Sequence, residues 1–289
     1  SKTNCVFCDK AKMRLANKNP KIHMLDQDYT REDFFKKFPN RSFEIGIAEA
    51  NAIGIAAGLS FMGYRPFLAS FGSFITGKNV EIRTTISYNL APVVIVGTHG
   101  GLIGADGATQ AALQDIAVMR TIPDIEIFQP CSPKDVEQLM KYVVRSEKPT
   151  YLRIGRNEIK EFFNHEHKFK LGFGNLIKNG KKNLIISSGP IVKNCIDAIK
   201  HFDSNQDSYG LLNLTSLKPI DENFIINTVL SYENIIVIED HLIEGGVGSI
   251  ISEIITKNGI NKKIYRHGLN NEFIESDTPK NLEKIACNC

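Results

Sequence analysis

Short apolar runs alternate with longer segments of helical pattern along nearly the whole chain. The run PVVIVGT at 92–98 is apolar almost throughout, which is typical of a central parallel strand that is covered on both faces. The alternation predicts an α/β fold, in which helices pack on both faces of a parallel sheet. In the first half, strands are predicted at 21–26, 43–47, 65–70, 92–98, 125–129 and 150–154, and helices at 48–62, 74–89, 108–120 and after Ser132.

The composition changes between Asn157 and Gly174, where a charged stretch with two histidines is predicted to be a linker. A chain of 289 residues is long enough for two domains, and we expect them at residues 1–162 and 163–289. The second domain is predicted to be another α/β unit. Its strands are expected at 183–188, 208–214, 234–239 and 263–267, and its helices at 191–202, 222–230 and 247–258.

Charge and hydropathy argue against several classes of function. A net charge of +3 is too small to indicate nucleic-acid binding. No apolar run approaches the ~20 residues that span a bilayer, so we expect no membrane segment. The N-terminal stretch has no apolar core of the kind found in secretory signals, which favours a cytoplasmic protein.

The six cysteines do not indicate a disulfide framework in a chain of this length. Two pairs lie at opposite ends of the sequence, Cys5-x-x-Cys8 and Cys287-x-Cys289, and no histidine lies near them at a usual ligand spacing. Free thiols are therefore favoured over a shared metal site, and no metal-binding residue is predicted. The other two cysteines are expected to be buried: Cys131 and Cys195.

A carboxylate opens the most unusual helix of the sequence. Glu49 lies in the first helical turn of FEIGIAEANAIGIAAGLSFM at 43–62, a segment rich in alanine and glycine. A charge at this position can simply complement the helix dipole, an effect of ~0.3–1 kcal/mol. However, the helix has almost no polar face, so we expect it to be buried. Burial would favour the protonated form of Glu49, which suits a group that transfers protons.

A glycine-rich loop, GTHGGLIGADGATQ at 97–110, follows the central apolar strand. Ligands of open parallel sheets bind at this edge. The glycines match neither the dinucleotide pattern nor a Walker sequence, so they predict close backbone approach to a ligand, with His99 and Asp106 projecting into the site. Phe71 and Phe74, in SFGSF, are spaced to form an aromatic wall for a flat heterocycle. A purely structural loop and ordinary core packing remain alternatives for these two motifs.

Together these segments resemble the thiamine-diphosphate-dependent transketolases, with 1-deoxyxylulose-5-phosphate synthase as a near relative. The resemblance extends over nearly the whole chain, and the order and spacing of its motifs make it specific. It implies a pyrimidine-binding domain followed by a transketolase C-terminal domain. The motifs that carry it are GIAEANAIGIAAGL, SFGSF, THGGLIGADGATQ, RTIPDIEIFQPCSPKDVEQL, LKPID and VIEDHLIEGGVGS.

The resemblance also implies roles for single residues. Glu49 is similar to the catalytic glutamate that hydrogen-bonds the aminopyrimidine of the cofactor and promotes loss of a proton from its thiazolium ring. Phe71 and Phe74 resemble the ring pair that packs on the pyrimidine. His99 and Asp106 resemble the residues that contact the hydroxyl groups of the donor, and His99 is also a catalytic candidate.

Two further substrate contacts are implied, one of which departs from the family pattern. Arg156, in RIGRN, resembles the arginine that binds a sugar phosphate, and its planar fork suits a phosphate group. Gln110 stands where transketolases typically have a second histidine. The N-terminal phosphate contacts of the family have no clear match between Cys5 and Glu32, which puts an ordinary sugar-phosphate donor in doubt.

The family binds the cofactor diphosphate through Mg²⁺, using G-D-G and a later asparagine, and this sequence contains no such pair. We therefore expect one half of a split enzyme, whose N-terminal partner subunit binds the diphosphate and supplies most of the Mg²⁺ coordination. The small residues Gly54, Ala57 and Gly58 would allow close helix approach, so we expect a dimer of this chain within a heterotetramer.

The leading hypothesis is a subunit of an enzyme that transfers a two-carbon ketol unit from a ketose, free or phosphorylated, to an aldehyde. Two alternatives remain, the β chain of a 2-oxoacid dehydrogenase and a non-catalytic binding subunit that has kept the fold. No residue of the second domain is expected to be catalytic. His241 is interpreted as a surface histidine, with a position near an interface as the alternative.

Overall fold

The computed structural model describes residues 22–26, 36–102, 106–163, 168–203, 207–274, 276–278 and 281. In chain order, the strands are β1 (Ile22–Asp26), β2 (Ser42–Glu44), β3 (Arg65–Phe71), β4 (Val94–Thr98), β5 (Glu126–Phe128), β6 (Thr150–Arg153), β7 (Asn175–Lys178), β8 (Asn183–Ser187), β9 (Tyr209–Asn213), β10 (Ser216–Lys218), β11 (Asn234–Leu242) and β12 (Lys263–Leu269).

Helices connect most of these strands. They are α1 (Glu49–Phe61), α2 (Gly72–Thr76), α3 (Asn79–Glu81), α4 (Asp115–Arg120), α5 (Pro133–Val143), α6 (Val192–Phe202), α7 (Glu222–Leu230) and α8 (Val247–Lys257). A π-helical turn, Ile82–Ser87, directly follows α3, and short 3₁₀ turns lie at Pro39–Arg41 and Gly189–Ile191. No helix among the described residues is both long and apolar enough to cross a membrane.

The strands form two sheets, which confirms the predicted α/β fold with two sheet-containing units. The first sheet has the order β10-β5-β6-β4-β3-β1-β2, and the second has the order β12-β11-β8-β9-β7. Neighbouring strands are parallel except for β7 with β9 and β10 with β5. The two antiparallel strands were not predicted, and both lie at a sheet edge, where parallel α/β sheets commonly add such a strand.

Strand β10 connects the two units, because it comes from the second half of the sequence but pairs with β5 of the first sheet. Beside it, the Lys218 amine donates to the carbonyl oxygens of Arg120 and Ile122, at 3.1 and 2.5 Å. One continuous cluster of buried apolar side chains also runs from the first unit into the second. The predicted domain boundary between residues 162 and 163 falls between β6 and β7, and it stays a prediction.

The helix that begins at Glu49 is buried on one face only. Ala52, Ile53 and Ala56 are fully buried, whereas Gly58 and Phe61 are exposed. The prediction of a fully buried helix was therefore wrong for one face, since α1 packs against β3 with its buried residues and turns Gly58 and Phe61 outward. Of the three small residues predicted to form a helix contact, Ala57 is buried, and only Gly54 and Gly58 lie on the exposed face. The contact itself stays a prediction.

Three predicted segments differ in extent. The strand expected as far as Ile47 ends at Glu44, because Gly46 has a φ of +69° and turns the chain, which leaves Ile47 exposed. The helix expected at 108–120 begins at Asp115, after a series of turns. The helix expected at 74–89 is divided into α2, α3 and the π-helical turn.

The cysteine predictions are confirmed where the structure describes them, because Cys131 and Cys195 are free and buried. The four terminal cysteines lie outside the described residues. Within the described part of the chain, no three histidine, cysteine or acidic side chains lie close enough together to hold a metal ion.

Candidate active site at the carboxyl edge of the first sheet

Three neighbouring parallel strands end at the same edge of the first sheet. Strand β4 pairs with β3 on one side and with β6 on the other. Phe71 is the last residue of β3, His99 directly follows β4, and Arg156 lies three residues beyond the end of β6. The parallel topology therefore brings residues that are up to 85 positions apart in the sequence to one edge, where α/β proteins bind ligands.

Glu49 is held at this edge by a residue that was not predicted. Its side chain is buried at the start of α1, and the Ser70 hydroxyl donates to its Oε1 atom at 3.3 Å. Ser70 lies in β3, directly before Phe71. The carboxyl group is therefore fixed against the strand that ends at Phe71. A charge that only complements the helix dipole would not need such a partner.

Three rings form a near-parallel stack. The ring centroids of Phe71 and Phe74 lie 5.3 Å apart with an interplanar angle of 9°, and those of Phe71 and His99 lie 3.7 Å apart at 25°. Phe74 is 40% exposed, so the stack is accessible from its outer side. This exposure argues against ordinary core packing for Phe74 and favours a surface for a flat ring.

His99 adopts a backbone conformation that is uncommon for a residue with a side chain, with φ at +58°. The Thr98 hydroxyl lies 2.9 Å from its Nδ1 atom, and its Nε2 atom lies 4.0 Å from the Asp106 carboxylate. A backbone held in this region costs free energy that the surrounding contacts must offset. The loop therefore holds the imidazole in a defined position, stacked on Phe71 and directed toward Asp106.

The remaining predicted residues lie around Asp106. Arg156 donates from its Nη1 atom to the Asp106 carboxylate, so these two candidates form an ion pair with each other. Gln110 is held through its backbone, because the Ser73 hydroxyl of α2 donates to its carbonyl oxygen at 2.9 Å. Contacts thus connect Phe74, Phe71, His99, Asp106 and Arg156 in series. Glu49 and Gln110 are attached to the same edge through Ser70 and Ser73.

A cavity of about 410 Å³ opens beside Arg156, between the segment after β6 and the start of α6. Polar and charged side chains from both halves of the chain line it, including Lys160, Lys193 and Asn194. The cavity is large enough for part of a small polar ligand, and the sequence offered no signal for it because its walls come from distant segments.

A buried ionic cluster lies beneath the loop and was missed by the sequence analysis. Arg153 is fully buried between two carboxylates, with Nε at 2.9 Å from Asp115 and Nη1 at 2.6 Å from Asp240. Burial alone lowers the pKa of the guanidinium, but the two carboxylates outweigh it and raise the pKa above its usual value. The Tyr151 hydroxyl donates to Asp115 at 2.7 Å, and burial beside this carboxylate raises the pKa of Tyr151.

The prediction that His241 is a surface histidine was wrong. The residue is fully buried where the two units meet, and the backbone N–H of Ala117 donates to its Nε2 atom at 3.4 Å. Its Nδ1 atom lies 2.6 Å from the Leu242 carbonyl oxygen. Burial lowers the pKa of His241 below its usual value, so the neutral ring is favoured. Sequence reasoning missed this because the covering residues belong to the first unit.

The two sheets define an α/β protein with a candidate ligand site at this edge, and comparison with known families makes the class specific. The transketolase pyrimidine-binding domain matches residues 7–161, and the transketolase C-terminal domain matches residues 172–287. The chain belongs to the transketolase family. The resemblance inferred from the motifs is therefore confirmed.

Several relatives show how the chain compares in length. It is 33% identical to a protein of Methanocaldococcus jannaschii named as a transketolase C-terminal section, covering 94% of this chain and 88% of the relative. It is 29% identical to one subunit of the apulose-4-phosphate transketolase of Actinobacillus succinogenes, covering 82% of this chain and 76% of that subunit. It is 31% identical to the 1-deoxy-D-xylulose-5-phosphate synthase of Caldanaerobacter subterraneus, but there it spans only 40% of the relative.

A solved structure is similar over nearly the whole fold. It is a split-gene transketolase described as an inactive β4 tetramer, and it superposes with a TM-score of 0.88 at 32% identity. The match covers 97% of this chain and 92% of the other. The arrangement of both sheets is therefore shared with a protein of this family that is encoded in parts.

Proposed function

We propose that this chain is the C-terminal, pyrimidine-binding subunit of a thiamine-diphosphate-dependent enzyme that transfers a two-carbon ketol unit from a ketose to an aldehyde. The observation that carries the proposal is the series of contacts from Phe71 through His99 and Asp106 to Arg156. Beside it, Glu49 is bonded to Ser70, the residue before Phe71. A buried acid, an aromatic surface and a polar end on one edge are the parts that such a reaction needs.

The residues present fit the aminopyrimidine half of the cofactor. The exposed ring of Phe74, stacked on Phe71, offers a surface on which a flat heterocycle would pack. Glu49, held by Ser70, would hydrogen-bond a ring nitrogen and keep a proton there. When bound, thiamine diphosphate supplies a nucleophilic carbon and accommodates the negative charge that develops during ketol transfer.

The substrate would bind along the loop after β4. His99 and Asp106 are proposed to contact the hydroxyl groups of the donor, with His99 also taking part in proton transfer. The uncharged side chain of Gln110 would also contact the substrate. Arg156 borders the cavity of about 410 Å³, and its fork would bind the polar or phosphorylated end of the substrate there.

We further propose that an N-terminal partner subunit binds the cofactor diphosphate and Mg²⁺. The lengths of the relatives support this, because the chain matches most of a C-terminal section and most of a transketolase subunit, but under half of a 1-deoxy-D-xylulose-5-phosphate synthase. A relative whose β subunits alone form an inactive tetramer is consistent with the need for a partner. The proposed assembly is a heterotetramer built around a dimer of this chain.

The decisive experiment reconstitutes this chain with the partner subunit that carries the G-D-G motif and measures ketol transfer. Glu49→Gln keeps the shape of the side chain but removes its acid, so kcat should fall by about 10²–10⁴. Glu44→Gln is the matched control, because Glu44 is exposed in β2 and its change should leave kcat unaltered. Full activity of the Glu49→Gln pair would refute the proposed chemistry.

Two further measurements separate the parts of the proposal. Calorimetric titration of the isolated chain should show weak or no binding of thiamine diphosphate, and tight Mg²⁺-dependent binding would contradict the partner assignment. Reduction of a lipoyl group by the reconstituted pair, in place of ketol transfer, would instead support the β chain of a 2-oxoacid dehydrogenase.

A further inference from the structure

Several side chains of the second unit border the candidate site, and Asp240 both lines the cavity beside Arg156 and bonds to the cluster beneath the His99 loop. Asp240, in β11, accepts a hydrogen bond from Arg153 Nη1 at 2.6 Å and another from Gln129 Nε2 at 3.2 Å. Arg153 Nη2 donates both to the Asp240 carbonyl oxygen at 3.0 Å and to the Ala112 carbonyl oxygen at 2.9 Å. The contact is therefore buried and bonded on several sides, across the boundary between the two units.

The same side chains lie directly against the loop that carries His99. A Cβ atom on Gly101 would lie 2.8 Å from Asp240 Cγ, and one on Gly100 would lie 2.9 Å from Arg153 Cγ, which is closer than real side chains approach. Gly101 also has a φ of +86°, which favours glycine. The loop backbone thus rests on Asp240 and Arg153 with no space between them.

The backbone of this loop shares its hydrogen-bond acceptors with the ionic cluster. The Ala112 carbonyl oxygen accepts from the N–H of Gly101 at 3.1 Å as well as from Arg153. In return, the N–H of Ala112 donates to the His99 carbonyl oxygen at 3.1 Å. A shift of Arg153 would therefore move the loop at His99.

Charge counting shows that Asp240 is not needed to neutralise Arg153. Asp115 already supplies one carboxylate, with bonds of 2.9 and 3.0 Å to Nε, so the second carboxylate leaves the cluster with an excess of negative charge. A buried excess charge is costly. Asp240 differs from Asp115 in two contacts, the hydrogen bond from Gln129 and the close packing on Gly101, and the second of these links Asp240 to the loop.

We propose that Asp240 is a positioning residue, which acts through Arg153 and through direct packing on Gly101 to hold His99 in place for the donor substrate. The inference rests on the proposed function, since it assigns His99 to the donor. It assigns Asp240 a role in positioning His99, in addition to the place that Asp240 shares with Lys193 and Asn194 in the wall of the cavity beside Arg156.

The test uses the reconstituted pair and compares Asp240→Asn with Asp135→Asn. Asp135 is the matched control, because it is a buried carboxylate at the same boundary that accepts from the Cys131 N–H at 3.0 Å and from Thr215 Oγ1 at 2.7 Å. Asp240→Asn should raise the KM of the donor about tenfold, the size of one lost hydrogen bond, and leave the KM of the acceptor unchanged. Asp135→Asn should lower Tm but should not raise the KM of the donor relative to that of the acceptor.

Equal effects of the two variants on donor KM, or parallel changes in donor and acceptor KM, would overturn the inference and reduce Asp240 to a structural contact. If Asp240→Asn does not fold, Gly101→Ala tests the same packing, and it should also raise the KM of the donor selectively. An unchanged donor KM in Gly101→Ala would likewise count against the proposal.

Hydrogen exchange on the isolated chain gives a readout that needs no activity. The amides of Gly100 and Gly101 donate to the Ile154 and Ala112 carbonyl oxygens and should exchange faster in Asp240→Asn but not in Asp135→Asn. An inactive wild-type pair would refute the proposed function, whereas unchanged exchange in Asp240→Asn would refute the positioning role alone.

Discussion

Replacement of Gly97 by alanine tests how tightly the first sheet is packed beneath the site. The Tyr151 ring is fully buried under Gly97, and a Cβ atom there would lie 2.6 Å from Tyr151 Cζ and 2.7 Å from Cε2. The Tyr151 hydroxyl would lie closer still, and ordinary contacts begin at 3.4 Å, so this end of the side chain must move by more than about 1 Å.

The expected cost follows from two losses. Overpacking of a core costs about 1–3 kcal/mol. Movement of the ring also stretches the 2.7 Å hydrogen bond from Tyr151 to Asp115, and bonds to charged groups contribute about 1.5–3 kcal/mol. Gly97→Ala should therefore lower the free energy of unfolding by about 3–5 kcal/mol, which urea denaturation followed by circular dichroism measures directly.

A double variant separates the clash from other effects of the alanine. In a Tyr151→Val background the ring is absent, so the added cost of Gly97→Ala should fall below about 1 kcal/mol. The reasoning would be refuted if Gly97→Ala cost less than about 1 kcal/mol alone, or if it cost as much with valine at 151 as with tyrosine.

Two further changes test the buried histidine and the exposed helix face. The pKa of His241 is lowered from 6.5 in the fold, so below pH 6.5 the unfolded chain binds more protons and stability falls as the pH drops. When the pH is lowered from above 6.5 to below 6.5, the free energy of unfolding should fall less in His241→Gln than in the wild type. Urea titrations at the two pH values measure this, and an equal fall would contradict the reasoning. Among the described residues, no atom beyond the chain neighbours of Gly58 and the backbone of its own helix lies within 4 Å of its Cβ position. Gly58→Leu should therefore keep the fold of the isolated chain but block the proposed dimer contact. Light scattering should then show a smaller particle, and an unchanged mass would exclude this face.

The order of strands and helices was readable from the sequence because it depends on local pattern. The apolar run at 92–98 predicted β4, and the alternation of runs predicted two mostly parallel sheets, as observed. The segments whose ends were wrong, at Ile47 and before Asp115, lie where the chain turns through glycine-rich loops. In such loops tertiary contacts outweigh local propensity, so sequence pattern is a weak guide.

The candidate site was predictable in part for the same reason. Glu49, Phe71 and His99 each lie in a short motif, and parallel strands bring their ends to a common edge, so the motifs were sufficient to select them. Ser70 had no such signal. A serine before an aromatic residue is ordinary, and only the packing of α1 on β3 brings its hydroxyl to the carboxylate of Glu49.

Short motifs of consecutive residues were enough to indicate the family and the type of fold, and they selected the residues of the candidate site in the loop after β4. Contacts across the two units were a different matter. Arg153 and Asp240 are 87 positions apart, β10 joins a sheet built by the other half of the chain, and His241 is buried by the residues of α4. Such contacts join segments that are far apart in the sequence. Local periodicity carries no information about which distant segments pack together, so only the tertiary structure determined them.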